Sequence, residues 1–144
     1  MSASWEDKLA IEELISTYNQ SLDSGDYETW LACWADDAIF DGLGKLLTGI
    51  GPIRGFAEGY DAGYRLRIPA LKHYTVNTLS KIDGDRATSS SYLQLTSMGP
   101  KGGQIIFTAR YEDDLKRIDG RWRFARRKLH QDMPPPEAPK TTKT

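Results

Sequence analysis

The chain has 144 residues, 39% apolar and 27% charged, with a formal net charge of −1, which describes one globular domain able to bury about two-thirds of its unfolded surface and singles out no partner by bulk charge. Cys33 is the only cysteine, which excludes an intrachain disulfide or a multi-cysteine metal site and suits a reducing cytoplasm. No apolar run has the length of a bilayer span, and the opening M-S-A-S-W-E-D has neither the basic nor the apolar part of a signal peptide, so the expected location is cytoplasmic and no membrane partner is expected.

A first helix is expected to open at Ser4, whose hydroxyl can cap it, with Glu6 and Asp7 in the first turn where they complement the helix dipole. Ile11, Leu14, Ile15, Tyr18 and Leu22 fall on one helical face, and Gly25 ends the helix. Asp23 follows the last apolar residue and is left at the helix end, where a buried carboxylate needs a partner. A second helix is expected from Asp26 to Trp34, packing Tyr27, Trp30, Leu31 and Trp34 around Cys33, followed by a short strand at Ala38 to Phe40. After a glycine-punctuated loop and a short strand at Leu46 and Leu47, Pro52 suits the first turn of a third helix running to Arg65. The glycines of G-I-G-P-I-R-G tempt a phosphate-binding reading, but the third glycine is one residue late and no strongly apolar strand precedes it, so a turn and helix start is the better account.

After Pro69 the apolar period changes to two, predicting four strands, Leu71 to Ile82, Arg86 to Ser97, Gln104 to Ile118 and Arg121 to Gln131. D-G dipeptides supply hairpin chemistry at two of the connections. Alternation puts Leu71, His73, Thr75 and Asn77 on one face. His73 then lies opposite Thr96 if Gly84 and Asp85 form the turn, or opposite Gln94 if Asp83 and Gly84 do. Across the last hairpin Glu112 is expected to face Arg127, and Asp113 to face Arg126. Residues 1–132 are read as one domain, and the proline-rich tail 133–144 as extended or disordered. Helices followed by antiparallel strands give an α+β layer architecture.

These residues resemble the SnoaL-like branch of the NTF2-like superfamily. The resemblance rests on I-x-x-L-I-x-x-Y-x-x-x-x-D-x-G-D-x-x-x-W from Ile11 to Trp30, Trp34 with D-D-A from Asp36, H-x-x-x-N from His73, I-D-G-D-R-A from Ile82, and R-Y-E-D-D-L-x-R-x-D-G-x-W-R-F-A-x-R from Arg110 to Arg127. It implies three helices on a strongly curved, mainly antiparallel sheet, enclosing a cone-shaped pocket for a small molecule. It further implies scytalone dehydratase-like, bile-acid dehydratase-like or dehydrochlorinase-like chemistry, for the most part without a cofactor. In such relatives an Asp at the end of the first helix and a His at the start of a long strand form an acid/base dyad, matched here by Asp23 and His73. Tyr18 matches a tyrosine of the bile-acid dehydratases, and Arg127 an arginine that aids departure of the leaving group. The catalytic carboxylate that bile-acid dehydratases carry near His73 has no counterpart here, nor does the strand Asp base of ketosteroid isomerases.

The resulting expectation is a cofactor-independent lyase or isomerase, with Asp23, His73, Tyr18 and Arg127 catalytic. Trp34, Phe56, Tyr60, Asn77, Tyr92, Gln94 and Thr96 are expected to bind substrate, and no residue to bind a metal. Each residue also has a plainer reading: a strand His is commonly structural, Asp23 can cap a helix, Tyr18 can pack the core, and Arg127 can pair across the hairpin. A homodimer is expected through the outer face of the long strands, on the apolar surface of Phe107, Tyr111, Trp122 and Phe124. The alternatives are a non-catalytic ligand-binding or dioxygenase β-like subunit and, last, RNA binding by R-W-R-F-A-R-R-K from Arg121. Neighbouring Glu112, Asp113 and Asp114 count against the RNA reading.

Overall fold

The computed structural model describes residues 4–132; the 133–144 tail lies outside the described residues. Helix α1 (Trp5–Ser24) is capped by Ser4, which accepts the Asp7 N–H at 3.1 Å, and it stops at Gly25, where φ is 79°. A side chain there would be strained, and its Cβ would also fall 2.9 Å from the Arg65 guanidinium. Asp26 caps α2 (Tyr27–Ala32). This helix is shorter than its apolar spacing suggests, and Trp34 begins strand β1 (Trp34–Gly42) instead of closing a helix. The chain continues through β2 (Lys45–Thr48) and α3 (Ile50–Tyr60), whose last turn widens into a π-helical segment at Asp61–Arg65. Four long strands follow: β3 (Lys72–Asp83), β4 (Arg86–Gly99), β5 (Gly102–Ile118) and β6 (Arg121–Gln131).

The sheet runs β2-β1-β6-β5-β4-β3 and is open, with β1 parallel to β6 and every other pair antiparallel. The three helices cover its inner face, as the α+β expectation requires. Ile11, Ile15, Tyr18 and Leu22 of α1 are all buried against Trp30, Trp34, Phe40, Leu115 and Phe124. Each buried tryptophan removes enough apolar surface to contribute roughly 4–6 kcal/mol, so this aromatic wedge is the main anchor between helices and sheet.

Two bulges set which side chains face the helices. In β3 the alternation of exposed and half-buried residues reverses between Val76 and Thr78. Asn77 takes a left-handed backbone there, with φ of 58°, which Asn tolerates better than most residues. The turn is Gly84–Asp85, since Asp83 pairs with Arg86, yet the bulge brings His73 opposite Leu95 and not opposite Thr96 or Gln94. In β6 an extra residue, Ala125, sits between the Asp114–Arg126 and Leu115–Phe124 pairs. Arg127 therefore lies opposite Asp113 and not Glu112, and Arg126 lies opposite Asp114 and not Asp113. The bulge also places Phe124 and Arg127, three residues apart, both in the interior.

Candidate active site

Strand β3 is the edge of the sheet, and α1 lies along it. The C-terminal end of α1 therefore meets the N-terminal end of β3. Asp23 and His73 occupy those ends: the ring Nδ1 is 2.6 Å from Asp23 Oδ1, and the His73 backbone N–H donates to Asp23 Oδ2 at 3.0 Å. Their side chains retain 16% and 8% of their exposure. The carboxylate thus orients the imidazole and satisfies an edge-strand N–H. A carboxylate oxygen can only accept, which assigns the proton of this contact to Nδ1 and leaves Nε2, which bonds to no described residue, to exchange one. One helical turn back, Asn19 Nδ2 donates to Thr75 Oγ1 at 2.9 Å, a second polar rung between the same two elements. A groove of about 590 Å³ between α1 and β3 is lined by Asn19, Asp23, His73 and Thr75, with Gln20 and Lys72 at its rim.

Tyr60 reaches the dyad from α3, its ring centroid 6.5 Å from that of His73. Burial, and after it the Asp23 charge, push its phenol well above the ordinary range, so it stays protonated. Tyr18 lies on the same side but deeper: it is 2% exposed, and burial pushes its phenol up as well. Its ring contacts Trp30 at 5.4 Å and Trp34 at 5.8 Å, and Phe56 continues the cluster at 5.9 Å from Trp30. Arg127 is fully buried, its guanidinium carbon 3.5 Å from the Tyr111 ring centre and 4.3 Å from those of Tyr18 and Phe124. Its Nε and Nη2 donate to the buried Asp113 at 3.0 and 3.5 Å. Burial pushes the Asp113 carboxyl up against the pull of Arg127.

Asp23, His73, Tyr60, Tyr18, Trp34, Phe56 and Arg127 therefore belong to one connected interior. Tyr92, Gln94, Thr96 and Asn77 do not. The bulge at Asn77 leaves that residue exposed, and Tyr92, Gln94 and Thr96 pair with Val76, Tyr74 and Lys72 on the outer face. Gln94 and Thr96 instead line an outer groove of about 770 Å³ with Tyr74, Met98 and Ile105. A one-residue slip exchanges the two faces of a strand, which is why one bulge displaces the whole set. Tyr111, Asp113 and Asn19 were missed as interior polar partners; helical spacing from Asp23 would have found Asn19, whose partner Thr75 strand alternation had already placed on the face of His73. Among the described residues, no group of three or more His, Cys, Asp or Glu is placed to hold a metal ion, and no helix is long and apolar enough to cross a membrane.

Three helices over this open curved sheet form the cystatin-like fold of NTF2-like proteins. An NTF2-like protein with a cystatin-like fold from Novosphingobium aromaticivorans superposes with a TM-score of 0.78 at 22% identity, over 87% of this chain and 81% of its own. A protein from the same organism named "Putative Scytalone Dehydratase" gives 0.76 at 22%, over 90% and 86%. A variant of Rv3472, a function unknown protein from Mycobacterium tuberculosis, gives 0.79 at 30%, over 89% and 73%. None of the curated proteins matches the chain. The SnoaL-like domain matches residues 3–128, and the chain belongs to that family.

Proposed function

We propose that this protein is a cofactor-independent lyase or isomerase that carries out a dehydratase-like elimination on a small, mostly apolar molecule. The observation that carries this reading is the 2.6 Å contact between Asp23 and His73 Nδ1, which leaves Nε2 unbonded on a mostly buried ring. Nε2 takes a proton from a carbon next to an electron-withdrawing group. The C–H electron pair forms the new double bond, and the leaving group departs from the neighbouring carbon with its own pair. When that group is hydroxide, the imidazolium returns its proton and water is released. Asp23 stabilises the imidazolium, and such a positioned base typically adds roughly 100- to 10,000-fold. Tyr60, Trp34 and Phe56 form an apolar wall, and Tyr18 and Arg127 steady charge on a departing or conjugated oxygen.

The test is exchange and elimination on a panel of β-hydroxy ketones in deuterium oxide. Wild-type protein should incorporate deuterium next to the carbonyl and release water, and His73→Ala and Asp23→Asn should do neither. A wild-type protein that leaves the whole panel unexchanged would falsify the reading. The second reading, a non-catalytic binding or structural subunit, is favoured by one observation: Asp23 also serves the backbone of the edge strand, a purely architectural task. Such a subunit would purify with a larger partner.

We further propose that the protein is a cytoplasmic homodimer without a nucleic-acid partner. Tyr111, Trp122 and Phe124, expected on the dimer face, point inward and are buried. The outer face instead exposes Tyr74, Val76, Leu79, Tyr92, Met98 and Ile105, an apolar surface that supports pairing of two copies. Pairing of Lys128 with Glu112 and Arg126 with Asp114 across the sheet, with Arg127 buried, argues against a basic surface for RNA.

A further inference from the structure

Tyr60, Phe56 and Trp34, the apolar wall of the proposed site, are packed against their neighbours. Tyr60 and Trp34 are 4% and 1% exposed, and the Phe56 ring centroid lies 5.4 Å from that of Phe40, 5.7 Å from Tyr60 and 5.9 Å from Trp30. The groove along α1 and β3 reaches His73 without touching any of the three. A ligand can therefore meet the wall and the dyad together only if an element moves. Two of the three wall residues, Phe56 and Tyr60, belong to α3, and Tyr60 is the ring beside His73.

The sequence of α3 commits it only weakly to a helix. Gly51, Gly55, Gly59 and Gly63 recur every four residues along α3 and its π-helical end, on the face opposite the buried Ile53, Ala57 and Tyr60. All four are exposed, none has a positive φ, and a Cβ on any of them would meet nothing within 4 Å. Packing within this chain thus asks for glycine at none of these positions. Each glycine inside the helix still favours unravelling about four- to five-fold relative to alanine. The last turn is also widened at Asp61–Arg65, and π turns gather at functional sites. What holds that end is Asp61, which accepts the Tyr27 phenol of α2 and, at 2.6 Å, Arg65 Nε. The Arg65 guanidinium in turn lies over Gly25, where a Cβ would come within 2.9 Å of it. One carboxylate therefore ties the π turn to α2 and to the end of α1 that carries Asp23.

We propose that α3 and its π turn form a lid over Asp23 and His73, latched by Asp61 between Tyr27 and Arg65 and kept openable by the four exposed glycines. In taking its purpose to be the admission of substrate, the proposal rests on the lyase reading. Opening lifts Phe56 and Tyr60 off Phe40, Trp30 and the His73 ring, and makes the space that the packed wall lacks. Closing returns Tyr60 to the imidazole and excludes water while the proton moves.

The experiment follows hydrogen–deuterium exchange in the full chain with no ligand added. Amides of residues 53–64 should exchange about ten-fold or more faster than those at the centre of β4 and β5, which marks local opening below global unfolding. Gly55→Ala combined with Gly59→Ala should slow exchange in α3 about 20-fold, with a melting temperature at or above that of wild type. Asp61→Asn and Tyr27→Phe should each speed it about three-fold or more. On the β-hydroxy ketones the double alanine variant should lower kcat/KM by the same factor as it slows opening, because only the open form admits substrate. Three results would each overturn the proposal: α3 amides that exchange no faster than the strands, alanines that leave exchange in α3 unchanged, or alanines that change the oligomeric state and so assign the glycines to a contact between copies. The two readings separate cleanly. Opening that persists in a protein with no elimination activity keeps the lid and removes the lyase, and turnover at wild-type kcat/KM in the double alanine variant does the reverse.

Discussion

Asp23 holds His73 twice, by the ring at 2.6 Å and by the backbone N–H at 3.0 Å. The two contacts separate catalysis from stability. His73→Ala and Asp23→Asn should each remove nearly all turnover, and the double variant should be little worse than either, because the pair acts as one unit. Stability should divide them: Asp23→Ala also strands an edge-strand N–H, at a cost of about 1–3 kcal/mol, whereas His73→Ala keeps that bond. Urea unfolding should rank Asp23→Ala as the less stable; equal losses would show that the backbone contact contributes nothing.

The Asn19–Thr75 bond repeats the α1–β3 contact one step away from the dyad. Four helix residues rise about 6.0 Å and two strand residues about 6.6 Å, so the two rungs match in spacing. Thr75→Val keeps the shape and loses the oxygen. It should lower kcat several-fold with little change in KM, and Thr75→Ser should restore it. A valine variant with wild-type kcat would reduce Asn19–Thr75 to a packing detail.

Arg127 and Asp113 are both 0% exposed as side chains. Arg127→Met should cost about 3–5 kcal/mol by leaving a buried carboxylate alone, and adding Asp113→Leu should recover much of the loss. Thermal unfolding of the two single variants and the double completes the cycle. Additive losses would mean that the pair is uncoupled.

The outer face is tested with a charge in its middle. Val76 pairs with Tyr92 across β3 and β4, and both are about half exposed. Tyr92→Glu should convert a dimer into a monomer by light scattering at micromolar concentration without changing the melting curve of the monomer. A wild-type protein that is already monomeric removes the dimer.

The Trp122 indole first of all, with Ser4 and Arg117, holds the Asp7 carboxyl below its ordinary value of 3.8, against the opposing pull of partial burial. A depressed carboxyl contributes stability that is fully present above its unfolded value and is lost as pH falls through the folded one. Asp7→Asn should therefore flatten the fall in stability below about pH 4 while changing little at pH 7. An acid limb unchanged in the variant would assign that limb to other carboxylates.

Local chemistry made part of this protein legible in its residues alone. The Ser4 and Asp26 caps, the Gly25 stop, the apolar face of α1 and the hairpins at Gly84 and Gly120 depend on neighbours a few positions away, and they stand as read. Asp23 and His73 were paired by resemblance, and the α1–β3 contact brings them together. The facing of the long strands was not legible. An extra residue at Asn77 or at Ala125 carries no strong local signal, since either backbone can continue flat. What decides it is the burial gained elsewhere: turning Arg127 inward onto Asp113 and three aromatic rings, and aligning His73, on the strand that α1 packs along, with Leu95. Period-two alternation determines that a strand has two faces, but only packing against α1 and β5 determines where along the strand those faces exchange. For that reason the sequence placed Asn77, Tyr92, Gln94 and Thr96 in the interior, and the tertiary structure moved them outside.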